Sequence, residues 1–209
     1  GRVGPGDLVV GADSHTVTCG AVGAFATGIG SADLAGAFRT GKVWLRVPET
    51  FRVVLDGGMP SGVGAKDAAL ELLRAVGSEG AAYAALEFHG SGAEALPLEE
   101  RMVLSNMSVE VGAKAGLFSA EGAASDPDAR FAREIRLDLR ALEPRVALPH
   151  DPADGVGVTE VAGARVDWVF LGTCTGGRVH DFREALRVLD VGGGVASGVP
   201  VVATPPTAH

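Results

Sequence analysis

The stretch VDWVFLGTCTGGRVHDFREALRVL (residues 166–189) carries three patterns in succession. Val166 to Leu171 is an apolar run of strand length, Gly172 to Gly177 is a turn rich in glycine, and Arg178 to Leu189 has the spacing of an amphipathic helix. Strand, glycine turn, helix is the building unit of α/β proteins, which collect ligands at the carboxyl ends of their strands. Working outward, the same order recurs. Asp7 to Gly11 reads as a strand that runs into GADSHT (11–16), followed by glycine-rich chain and a short helix with Ser31 as its cap, ending near Gly41. Val47 to Asp56 alternates as a strand, with Pro48 marking its start. Ala65, Ala68, Ala69, Leu72, Leu73 and Val76 fall on one helical stripe that Gly77 ends. Tyr83 to His89 reads as a strand closed by Gly90-Ser91-Gly92, and Leu98 to about Lys114 as a helix. SAEGAASDPDAR (119–130) is a polar surface excursion, and the prolines of LEPRVALPHDPADGVGV (142–158) mark a boundary between structural units. The alternation predicts layered α/β architecture.

Composition narrows the function classes. With 209 residues, 46% of them hydrophobic, the chain buries a real core and reads as a soluble globular protein. A net charge of −8 with 18 scattered Lys and Arg residues argues against nucleic acid as a partner. No apolar run approaches the roughly 20 residues that span a bilayer, and Gly1 to Gly6 has no signal-peptide core, so the expectation is a cytoplasmic protein that does not engage membranes. Two cysteines, Cys19 and Cys174, are too few for a disulfide scaffold and suit a reducing compartment.

Four places can carry chemistry. Asp13, Ser14 and His15 set a carboxylate, a hydroxyl and an imidazole at a strand end, suited to proton exchange and anion binding; equally, Asp13 can cap backbone amides while His15 stays a surface histidine. Asn106 and Glu110, at i and i+4, share a helix face and can enter one pocket, although a solvated pair is the commoner outcome. Cys174, between glycines at a strand mouth, suits a nucleophile, a metal ligand or a small turn residue. The glycines from Gly20 to Gly30 follow neither standard phosphate-loop pattern in full, which favours a close-packed turn. Cys19 reads as a packing residue, and His89, His150 and His180, which lack ligand spacing, as structural.

In this order the motifs resemble the aconitase superfamily. GADSHT (11–16), GAVGAFATGIG (20–30), AKDAALELL (65–73), ALEFHGSGAEAL (85–96), ERMVLSNMSVEVGAKAGL (100–117) and VDWVFLGTCTGGR (166–178) carry the likeness. WLRVPE (44–49), DPDARFAREIRLDL (126–139) and LEPRVALPH (142–150) place it nearer the large subunits of 3-isopropylmalate dehydratase and homoaconitase than aconitase itself. The resemblance implies a hydro-lyase that moves water on a hydroxy di- or tricarboxylic acid in leucine or lysine biosynthesis, with 3-isopropylmalate, homoaconitate or a methylated malate as substrate. It implies a [4Fe–4S] cluster with Cys174 as one ligand. Asp13, His15 and Glu110 match residues that engage the leaving hydroxyl or the water, whereas Ser14 and Asn106 match substrate contacts. A separate small subunit is the implied partner. The implied fold is the layered α/β/α domains of the large subunit, incomplete, with residues 1–46 closing a first domain, 47–155 forming a second and 156–209 beginning a third.

The sequence departs from that pattern in two respects. The family's further cluster cysteines, a Cys-x-x-Cys, do not occur in it, and Gly176 stands where the family has asparagine. The expectation is therefore the middle of a longer large subunit, or a shortened paralogue without the cluster, since this segment alone completes no cluster. Two other classes follow from the same residues: a cluster-free scaffold, and a nucleophilic-cysteine enzyme pairing Cys174 with His15.

Overall fold

The computed structural model describes residues 2–120 and 125–206, which separate into two compact units, residues 1–157 and 158–209. In the first unit, β1 (Leu8–Gly11) pairs in parallel with β2 (Phe25–Gly28), and α1 (Ser31–Thr40) follows. A four-stranded sheet comes next, ordered β5-β4-β3-β6 from β3 (Thr50–Asp56), β4 (Ala85–His89), β5 (Ala115–Phe118) and β6 (Arg133–Asp138), with every pairing parallel. Parallel strands need crossovers, and here α2 (Ala65–Val76) links β3 to β4, while α3 (Ser91–Ala95) and α4 (Leu98–Met107) link β4 to β5. A short antiparallel pair, β7 (Arg145–Ala147) with β8 (Gly155–Gly157), ends the unit.

The core lies between this sheet and its helices. Val53, Leu55, Leu86 and Phe88 from the strands meet Leu72 and Leu73 of α2 and Leu104 of α4, all nearly free of solvent. Each such side chain contributes about 1.5–3 kcal/mol by leaving water. Phe88 stacks on Phe118 across the β4–β5 pairing at 4.7 Å between ring centroids. The start of α2 is tied down by acids: Asp67 Oδ2 accepts from Gly64 N at 2.8 Å, and Glu100 of α4 accepts from Ala65 N at 2.5 Å. The second unit pairs β9 (Val169–Leu171) in parallel with β10 (Val201–Ala203), with α5 (Val179–Gly192) between them in the chain.

Several boundaries differ from the sequence reading, each for a local reason. The cap of α1 is Gly30, so Ser31 is the first helical residue and makes no cap. β3 begins at Thr50 because Pro48 has no amide to donate to a ladder, and Val47 stays 89% exposed. Tyr83 takes a left-handed φ of 62° and closes a turn, which delays β4 to Ala85. Gly90-Ser91-Gly92 opens α3 instead of simply ending a strand. The helix expected to reach Lys114 stops at Met107; a 3-10 turn, Ser108–Val111, follows and Gly112 ends it at φ 82°. β9 spans only Val169–Leu171 of the expected run. The strands β2 and β5, rich in Ala and Gly, lack the apolar alternation that marks β3. Of the excursion 119–130, residues 121–124 lie outside the described residues. Among the described residues no helix is long and apolar enough to cross a membrane.

Candidate active site

β1 delivers the chain at Gly11 into a 3-10 segment, Ser14–Val22, that starts at Asp13. Asp13 is extended at φ −134° and ψ 132°, and its carboxylate accepts from His15 N at 2.7 Å while its carbonyl accepts from Thr16 N at 3.1 Å and Thr16 Oγ1 at 2.7 Å. The capping role open to Asp13 is thus realised, and it coexists with a side-chain cluster. His15 Nδ1 lies 3.2 Å from Ser14 Oγ and 3.5 Å from Asp13 Oδ1, and its Nε2 lies 3.9 Å from Glu110 Oε1. The imidazole therefore has an oxygen on each nitrogen, a carboxylate on either side. His15 and Glu110 are 38% and 39% exposed, open enough for a ligand to reach.

Asn106 arrives from the last turn of α4 and is 2% exposed. Its Nδ2 donates to Thr18 Oγ1 at 2.8 Å, and Thr18 Oγ1 donates to the carbonyl of His15 at 2.7 Å. Two short helical segments thus run past each other, 106 beside 18 and 110 beside 15. The expected single α-helical face for Asn106 and Glu110 is replaced by an α-turn and a 3-10 turn, so the amide is buried and the carboxylate half-exposed. Thr18 was absent from the residues picked out by sequence. It has no signal of its own in the sequence, because position 18 sits above position 15 only once the segment winds as a 3-10 helix with three residues per turn.

Glycines let these pieces come together. A Cβ at Gly20 would lie 1.9 Å from Gly116 O, on β5; at Gly28, 2.8 Å from Asp13 O; at Gly11, 2.5 Å from Thr16 Oγ1. The run from Gly20 to Gly30 is therefore a close-packed crossing, built around the backbone of β5 and the Asp13 turn. Cys19 is partly buried in the same segment. Ser14 also borders a cleft of about 520 Å³ with Thr27, Arg46, Tyr83 and Lys114, in which Arg46 and Lys114 sit 4.3 and 5.2 Å from the centre of the Tyr83 ring.

Cys174 belongs to the second unit, in the turn between β9 and α5, and is exposed. Thr173 beside it adopts φ 75°, and the Thr173 and Thr175 hydroxyls approach to 3.4 Å. A Cβ at Gly176 would stand 2.9 Å from Gly172 O, so this turn is wound for glycine where the related motif has asparagine. Among the other histidines, His89 contacts Glu87 at 3.3 Å and the Phe131 ring edge-on, a structural role. The donor set does not fit a complete iron–sulfur cluster. Among the described residues no three His, Cys, Asp or Glu side chains form a metal-binding group, and the chain has two cysteines.

Comparison with known proteins agrees with the motifs. Residues 1–124 match the aconitase family (aconitate hydratase). The chain is 47% identical to the 3-isopropylmalate dehydratase large subunit of Nitratidesulfovibrio vulgaris over 99% of its own length and 53% of that protein's. It is 48% identical to the 3-isopropylmalate dehydratase large subunit 1 of Methanopyrus kandleri, over 91% of this chain and 49% of the relative. Against the homoaconitase large subunit of Thermus thermophilus the figures are 51%, 90% and 48%. The chain spans about half the length of the curated relatives it matches.

Proposed function

The chain belongs to the aconitase family, and from that premise we propose that it is part of the large subunit of a hydro-lyase acting on 3-isopropylmalate, the step that adds and removes water in leucine biosynthesis. The observation that carries this reading is the placing of His15 Nε2 and Glu110 Oε1 3.9 Å apart on an accessible surface. Two polar atoms at that separation can share one hydroxyl oxygen, each at an ordinary hydrogen-bond length of about 2.8 Å. Hydroxide is a poor leaving group near neutral pH, and a proton delivered to it as the C–O bond breaks lowers that barrier. Asp13 and Ser14 orient His15 through Nδ1, which leaves Nε2 for the substrate's hydroxyl. Glu110 holds the other side of the same oxygen, and Asn106, anchored through Thr18, fixes the segment that carries His15. A substrate carboxylate can take up the Ser14 hydroxyl in place of His15 Nδ1, 3.2 Å away, with Asp13 still beside that nitrogen.

The family is one of iron–sulfur enzymes, and Cys174 is the thiolate this chain offers. Its donors do not complete a ligand set, so Cys174 would hold a cluster only together with thiolates from outside these 209 residues. The relatives are named large subunits, which supports a small subunit as partner. We read residues 1–46, 47–155 and 156–209 as parts of three successive domains of that subunit, working in the reducing cytoplasm.

The test is anaerobic reconstitution of the full-length large subunit with its small subunit, following ultraviolet absorbance of the unsaturated acid. 3-Isopropylmalate is the expected substrate, with homoaconitate run alongside. His15→Ala and Glu110→Gln should each lower kcat by about 10²–10⁴ with the bound iron unchanged. A cluster-loaded complex that does not dehydrate 3-isopropylmalate, even one that hydrates homoaconitate, or an H15A enzyme of undiminished kcat, refutes the proposal.

A further inference from the structure

Two rungs join the segment that starts at Asp13 to the one that ends α4. The inner rung is the hydrogen bond from Asn106 Nδ2 to Thr18 Oγ1 at 2.8 Å, and the outer is the approach of His15 Nε2 to Glu110 Oε1 at 3.9 Å. They are unlike. The inner rung has an ordinary hydrogen-bond length beside a residue only 2% exposed, whereas the outer is too long for a direct bond. An imidazolium and a carboxylate with nothing to hold them apart close to about 2.7–2.9 Å. Something therefore keeps the outer rung open, and the inner one lies a single turn away on both segments, at 18 against 15 and at 106 against 110. Thr18 has one hydroxyl proton, which goes to His15 O at 2.7 Å, and the same oxygen accepts from Asn106. This hydroxyl thus stands as a fixed length between the amide of α4 and the backbone of the histidine itself.

We infer that Thr18 is a positioning residue, the spacer that keeps His15 Nε2 and Glu110 Oε1 one hydroxyl oxygen apart and so reserves that gap for the substrate. The inference rests on the hydro-lyase reading above, in which the gap takes the leaving hydroxyl. It goes further in giving control of the gap to an uncharged side chain that itself exchanges no proton with the substrate. Among the described residues, the charged groups facing His15 are Asp13, from its own turn, and Glu110, from the 3-10 turn after α4. Without the Thr18 hydroxyl the segment is free to move toward α4, and Glu110 draws the imidazolium into a direct ion pair. Such a pair favours the protonated imidazole and fills the place that the hydroxyl needs.

The test uses the full-length large subunit reconstituted with its small subunit, as wild type, as Thr18→Val, which keeps the shape but neither bond, and as Thr18→Ser, which keeps the hydroxyl. Deuterium exchange at the His15 ring C2 position, read by mass spectrometry across pH, reports protonation without turnover; kcat on 3-isopropylmalate is measured alongside. In T18V the His15 transition should move up by about one pH unit, as for an imidazole given a carboxylate at contact. Its kcat should fall on the order of 10²-fold, the effect of a displacement of about 1 Å. T18S should follow wild type in both. A Thr18 that serves folding alone would lower the yield of folded enzyme and leave the His15 transition in place, which overturns the inference. A transition that moves down, or a T18S that behaves as T18V, overturns it as well. An H15A enzyme of undiminished kcat ends the hydro-lyase reading and this inference with it, whereas a fully active T18V beside a disabled H15A removes this inference alone.

Discussion

Replacing Gly20 by alanine tests how the site is held together. The added methyl would stand 1.9 Å from the carbonyl oxygen of Gly116 and 2.8 Å from its carbon, whereas ordinary contact begins at 3.4 Å. The obstacle is the backbone of β5, which no side-chain rotation relieves, so the 3-10 segment and β5 must separate by about 1.5 Å, the difference between those distances. Overpacking typically costs 1–3 kcal/mol, and a backbone obstacle puts G20A at about 3 kcal/mol, a sizeable part of a domain's total stability. The segment that shifts carries His15 and Thr18, so the 2.8 Å bond to Asn106 and the 3.9 Å approach to Glu110 open with it. A displacement of about 1 Å at reacting groups costs on the order of 10²-fold in rate. The assay is urea unfolding of the full-length large subunit together with kcat of the reconstituted complex. Gly58→Ala is the control, because a Cβ there meets nothing within 4 Å. If G20A unfolds within about 0.5 kcal/mol of wild type, or keeps its full kcat, the close crossing does not position the site.

Three further measurements follow from other contacts. Asn106→Ala removes the donor to Thr18 Oγ1 and leaves a buried hole, and should cost about 1–3 kcal/mol in denaturant unfolding; Thr18→Val, on the other end of the same bond, should cost a similar amount, with far less than additive loss in the double variant. Glu71 is held below its ordinary carboxylate value of 4.5 by the hydrogen bond from Arg74 and then by the charges of Arg145 and Arg74, against burial that raises it. A depressed folded value stabilises above the unfolded one and is lost as pH falls through the folded value, so Glu71→Gln should flatten the acid limb of stability below about pH 4.5; an unchanged limb refutes this. Arg145→Met removes the charge that meets Glu71 at 2.5 Å where both side chains are 14% exposed, and should cost about 1.5 kcal/mol in the same unfolding assay, because Arg74 still pairs with Glu71.

The sequence by itself determined the α/β class, α2 nearly to the residue, and the family. These were legible because they are local: the stripe from Ala65 to Val76 needs only the helical period, and the motifs around Asp13, Asn106 and Cys174 are contiguous. The short strands β2 and β5 were not legible, since Ala26 and Ala115 are small buried residues, Gly116 is crowded by Ser108 and Ser105, and none of them carries alternation. Nor was the identity of what Asn106 touches. Its spacing to Glu110 suggested a shared helix face, but tertiary packing ended that helix at Met107 and sent the two side chains to Thr18 and His15, 88 and 95 residues earlier. Residue type and order fixed which groups are available; only the crossing of Gly20 over Gly116 decided which of them meet, because that approach depends on two backbones far apart in the chain.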